Sequence, residues 1–102
     1  MRINPLLLAG AIALTAGADA VAAEQNLGRD VAANCASCHG TDGRSRGGMP
    51  SLAGKDKAYI VQQMKAFRDG TRSSTVMQQL AKGYTDAQIE AAAAYFAAQR
   101  AD

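Results

Sequence analysis

Cys35, Cys38 and His39, all within "CASCHG", are the only cysteines and the only histidine in a chain of 102 residues. Two thiols and an imidazole this close together could serve as a redox dithiol, as part of a zinc site, or as the anchor of a covalently attached prosthetic group. A thioredoxin-like dithiol needs a strand before C-x-x-C and a βαβ surround, whereas a helical pattern leads into the motif here. A closed structural zinc site needs four ligands, and the Cys and His residues of the chain supply three. A chance C-x-x-C-H forming a small surface disulfide in an oxidising compartment would close a very short ring at a helix end.

The reading that remains is haem attachment, for which C-x-x-C-H is the motif. Two thiols add across the two vinyl groups as thioethers, and the two residues between them set the sulfur separation. The adjacent histidine brings its imidazole to the iron from the same turn of chain. With His39 on one side, no second histidine exists for the other, so methionine becomes the candidate. Met64 lies on an apolar helical stripe and reads as core filler. Met49 is 10 residues past His39 and directly precedes Pro50, so its loop would have to cross the haem edge at once. Met77 is 38 residues past His39, after a helix able to carry the chain around to the distal face, and is favoured by the His/Met pairing of electron-carrying haems.

The elements that must position these residues read as helices, without a run of alternating β-branched residues. A first helix is expected from Leu27 to about Ser37, ending at the motif. "GTDGRSRGGMPSLAG", residues 40–54, has five glycines and a proline and reads as a turn-rich loop that wraps something. A second helix is expected from Lys57 to Asp69, with Ile60, Met64 and Phe67 on one face, Lys57, Gln62, Lys65 and Arg68 opposite, and Gly70 closing it. A short helical turn follows from Met77 to Lys82. The last helix starts at Thr85, where Gln88 three residues on completes a capping box, and runs to Arg100.

The whole chain agrees with export and a cofactor-filled core. Residues 1–23 pass from cationic Arg2 through an apolar run to small residues, the pattern of a secretory signal peptide, with cleavage expected after Ala23 or alternatively Ala20. That run is short and rich in Ala and Gly, no stop-transfer segment follows, and no stable membrane insertion is expected. Residues 24–102 then form one domain, small enough that a staple or cofactor usually helps it fold. No Trp, two Phe and three Tyr provide little bulk, which a large apolar cofactor would add. The net charge of +2, unchanged when Arg2 and Asp19 leave with the signal, is too small to argue for nucleic acid.

"CASCHGTDG", "MPSLAG", "YIVQQMKAFRDGTR" and "TVMQQLAKGYTDAQIEAAAAYFAAQ", in this order, resemble the class I cytochromes c of small bacterial type. They are particularly similar to the cytochrome subunit of flavocytochrome c sulfide dehydrogenase and to the halves of related dihaem cytochromes. The resemblance implies an all-α fold of three main helices, with loops wrapped around one covalent haem c. It places the thioethers on Cys35 and Cys38, the axial ligands on His39 and Met77, a Pro50 carbonyl on the histidine ring N–H, and Gly28 where the terminal helices cross near Tyr95 or Phe96. It implies periplasmic one-electron transfer, with an FAD-containing sulfide dehydrogenase as the expected partner. The alternatives are a diffusing shuttle to an oxidase or reductase, or a sensor or peroxidase with an open sixth position. A single C-x-x-C-H leaves any second redox centre to a partner. Arg44 and Arg46 are expected beside the exposed haem edge, to meet an acidic partner surface or a propionate, or simply to be solvated loop charges.

Overall fold

A computed structural model describes the backbone of residues 5–101 and the side-chain surroundings of residues 17–101. Four α-helices and one 3-10 turn follow in order: α1 (Pro5–His39), the 3-10 turn Thr41–Gly43, α2 (Lys57–Asp69), α3 (Met77–Ala81) and α4 (Asp86–Ala97). No strand occurs among the described residues.

Sequence patterning placed most of these boundaries. Asp56 caps α2 by accepting the Tyr59 N–H at 3.2 Å, and Gly70 closes it in the left-handed region at φ 82. Thr85 and Gln88 form the reciprocal capping box at the start of α4. Two boundaries differ by three residues or more. α1 begins at Pro5 rather than Leu27, because the Ala-rich segment before Leu27 has high helix propensity and no proline interrupts it. Its described side chains from Gly17 to Leu27 are all exposed, and the first buried residue is Gly28. α4 ends at Ala97 rather than Arg100: the Phe96 carbonyl accepts the N–H groups of Gly54 and Gln99, which turns the chain away from the helix axis.

The core lies where α1 crosses α4 and α2 closes over both. Val31, Ala32, Ile60, Ala92, Ala93 and Phe96 are buried together, with Cys35, Leu52, Val61, Met64, Tyr84 and Tyr95 packed against them. Small residues let the backbones approach. A Cβ built on Gly28 would lie 2.5 Å from the Ala91 carbonyl oxygen, a backbone atom that cannot swing aside. Gly28→Val should therefore push α1 off α4 and cost about 1–3 kcal/mol, read as a lower urea midpoint at an unchanged slope.

Ion pairs tie α2 to α4 outside the core. Arg68 Nη1 sits 2.7 Å from Asp86 Oδ1, and Lys57 Nζ sits 3.3 Å from Glu90 Oε2. Arg68, placed opposite the apolar stripe by periodicity, thus reaches across to α4. Its hydrogen bond and charge hold the Asp86 carboxyl below the ordinary carboxylate range. α3 packs on α2.

Candidate functional site

The end of α1 brings the two thiols and the imidazole onto one turn. Cys35, half-buried, leans on the core, while Cys38 is exposed. Burial, with a smaller contribution from Cys38, pushes the Cys35 thiol above its ordinary range. Among the described residues no group of three or more His, Cys, Asp or Glu side chains forms a metal-ion cage.

His39 is oriented by the loop that follows it. Its Nδ1 lies 2.6 Å from the Pro50 carbonyl oxygen. A carbonyl only accepts, so this bond requires the proton on Nδ1 and leaves the lone pair of Nε2 for a metal. The sequence reading of Pro50 as the partner of the histidine ring matches this geometry.

Backbone bonds set that loop. The Gly43 carbonyl accepts both the Leu52 N–H at 2.7 Å and the Ala53 N–H at 3.1 Å, and Ser51 Oγ accepts the Ser45 N–H at 3.0 Å. These bonds pin the two arms of the loop together and bring Pro50 back to His39. Gly43 is needed here: it has φ 82, and a Cβ on it would lie 2.7 Å from the Phe96 ring and 2.9 Å from the Ala53 nitrogen. Sequence reasoning missed Asp42 and Tyr95, which hydrogen-bond across 53 positions. The "TDG" turn hinted at Asp42, but nothing in sequence pairs it with Tyr95.

The three methionines outside residues 1–23 have different surroundings. Met64 packs against the core, as its stripe position predicted. Met49 is 50 % exposed on the loop. Met77 is half-buried and opens α3, a start braced by the Gln78 N–H donating to Ser74 Oγ at 2.8 Å. Val76 and Leu80, four residues apart beside it, are exposed aliphatics, and Tyr59 on α2 is an exposed aromatic.

A groove of about 830 Å³ runs beside Cys38, between Ala36–Cys38 and the Arg44–Gly47 stretch. Arg44 and Arg46 line it, so the loop arginines do lie next to the thiol motif. Two adjacent thiols, an imidazole with a free Nε2 and nearby apolar side chains suit a flat apolar macrocycle with a metal at its centre. A closed all-protein metal cage has no counterpart among the described residues.

A helical domain whose first helix ends in C-x-x-C-H, with the histidine held by a proline carbonyl, is the architecture of class I c-type cytochromes. The chain belongs to the cytochrome c family, whose model, described as Cytochrome c, matches residues 25–99. Membership brings covalently bound haem c and electron transfer. The cytochrome subunit of sulfide dehydrogenase from Chlorobaculum tepidum is 44 % identical over 72 residues, covering 71 % of this chain and 66 % of that protein. Cytochrome c-554(548) of Halomonas halodenitrificans is 36 % identical and is covered over 96 % of its length, with 79 % of this chain aligned. The thiosulfate dehydrogenase electron acceptor of Stutzerimonas stutzeri is 39 % identical over 85 % of this chain and 44 % of its own length. Among solved structures, cytochrome c4 of Acidithiobacillus ferrooxidans aligns with a TM-score of 0.59 at 48 % identity, covering 62 % of this chain and 37 % of that one. The chain spans from about a quarter to two thirds of the length of the first three curated relatives it matches. No helix among the described residues is long and apolar enough to cross a membrane.

Proposed function

We propose that this chain is a periplasmic one-electron carrier whose haem is held by thioethers to Cys35 and Cys38 and ligated by His39 and Met77. It serves as the haem subunit that takes electrons from a flavoprotein sulfide dehydrogenase. The observation that carries the reading is the Pro50 carbonyl on His39 Nδ1, which directs Nε2 toward a metal on the same turn of α1 that carries Cys35 and Cys38. Bound haem supplies an iron that alternates between ferric and ferrous states at a comparatively high potential when paired with His and Met.

The chain's residues provide the rest. The Pro50 bond keeps His39 in one tautomer and one ring orientation. Met77, at the start of α3, would supply the second protein ligand to the haem iron and so leave no open position for small ligands. Val76, Leu80 and Tyr59 offer apolar contact, and Arg46 gives the groove beside Cys38 a positive rim for an acidic partner or a propionate, while Arg44 on the same rim is paired with Asp42. Residues 1–23 serve as the export signal; the exposure of every described side chain from Gly17 to Leu27 suits a segment whose removal leaves the core intact.

The sulfide partner is supported by the likeness to the Chlorobaculum tepidum protein, named as a sulfide dehydrogenase subunit. An affinity-tagged copy expressed at native level should co-purify with a flavin-containing protein, and adding sulfide to that complex should reduce the haem. Recovery of a haem monomer without flavin would remove the subunit reading. It would favour the diffusing carrier, a reading supported by the likeness to the Stutzerimonas stutzeri protein, named as an electron acceptor.

A further inference from the structure

Asp42 stands three residues beyond His39 with φ 55 and ψ 21, the only non-glycine residue with positive φ among those described. Such a conformation persists only where the surroundings impose it. Here both carboxylate oxygens are held: Tyr95 Oη donates to Oδ1, and Arg44 Nη2 donates to Oδ2 at 3.4 Å. The other Arg44 nitrogen, Nη1, donates to the Arg100 carbonyl at 3.2 Å. Hydrogen bonds therefore run from α4 and the residues after it to the turn that follows the histidine.

Tyr95 cannot easily swing away. Its Cβ lies beside Gly28 at the α1–α4 crossing, and its ring meets Phe96 edge-on, with centroids 5.7 Å apart. The bond to Asp42 and burial push its phenol above the ordinary range, so at neutral pH it remains a donor.

The turn matters because of what it closes. From His39 the chain passes through Asp42 to Gly43, crosses by hydrogen bonds to Leu52 and Ala53, and returns through Pro50 to His39. Asp42 lies on this small ring and ties it to α4 by a side-chain bond. A shift of Asp42 moves the Gly43 carbonyl, and with it the Pro50 carbonyl.

The geometry points to Tyr95 and Asp42 as positioning residues for His39: Tyr95 and Arg44 hold Asp42, Asp42 sets the turn, and the turn keeps the Pro50 carbonyl on Nδ1. This rests on His39 being an iron ligand. A firm Nδ1–H bond makes an imidazole a stronger donor and favours the ferric form, so loosening it raises the reduction potential.

Tyr95→Phe in the holoprotein tests this, since it removes one hydroxyl, leaves the ring on Gly28 and Phe96, and changes no formal charge. At a fixed applied potential the reduced-to-oxidised ratio should rise about threefold, which is about 28 mV at 59 mV per tenfold for a one-electron couple. Proton NMR of the ferric protein should show the His39 Nδ1–H exchanging faster with solvent. Asp42→Gly, which relieves the left-handed strain while cutting both bonds, should speed the same exchange even if thermal stability does not fall. An unchanged potential and unchanged exchange in Tyr95→Phe, with His39 ring resonances carrying the large paramagnetic shifts of a ligand, would overturn the positioning role. Absence of those shifts in the unmodified protein would instead overturn the assignment of His39 itself.

Discussion

Met77→Ala is expected to lower the reduction potential by on the order of 0.1–0.3 V, within the roughly 0.8 V over which axial ligands tune haem proteins. The same variant should lose the ferric sulfur-to-iron charge-transfer band and bind CO when reduced at neutral pH. Surroundings argue for this residue over its two rivals. Met64 is partly buried against the core cluster, which commits its thioether to packing. Met49 is half exposed on the 40–54 loop, close in sequence to the proline that faces His39. Met77 sits at the first position of α3, half-buried and outside the packed core. An unchanged band in Met77→Ala would move the ligand to Met49 or Met64, and Met64→Leu, nearly equal in volume, separates those two.

Phe96→Ala should be the most costly core substitution. Phe96 is 2 % exposed and the largest fully buried side chain described, in a core otherwise built largely of alanine and single aliphatics. Removing a buried aromatic ring costs about 3–5 kcal/mol through lost transfer energy and the cavity left behind. Small domains carry only about 5–15 kcal/mol of stability in all. The loss should appear as a large drop in the urea midpoint, followed by haem absorbance. The damage would not stop at the core: the ring backs Gly43, and the Phe96 carbonyl holds the Gly54 N–H, so the cavity would open directly behind the loop that carries Pro50.

Local chemistry made much of this legible from sequence. The α4 start was legible in the Thr85/Gln88 pair, whose partners lie within a single turn, and α2 in its apolar stripe and the Gly70 that closes it. Gly28 at the crossing and Pro50 on His39 were expected from the family resemblance, and both contacts are present. What escaped was non-local or directional. The Asp42–Tyr95 bond spans 53 positions, and its left-handed turn falls on an aspartate where glycine would be the usual choice. Periodicity placed Arg68 opposite the apolar stripe of α2 but cannot reveal that Asp86 waits across the helix pair. The end of α4 was misjudged by three residues because its stop comes from Gly54, a residue of another segment, rather than from a breaker of its own.

The ring around His39 also bears on the order of assembly. His39 and Pro50 are 11 positions apart, whereas Gly28 and Ala91, which meet at the helix crossing, are 63 apart. Loop-closure entropy grows with the logarithm of length, so the crossing costs about 1.5 kcal/mol more to close than the short ring. Rates of folding fall as contacts become less local. A chain emerging unfolded therefore favours organising the stretch from Cys35 to Ala53 first, and the two terminal helices lock over it afterwards. The histidine meets its carbonyl partner early, and Tyr95, arriving with α4, then fixes that pairing by holding Asp42.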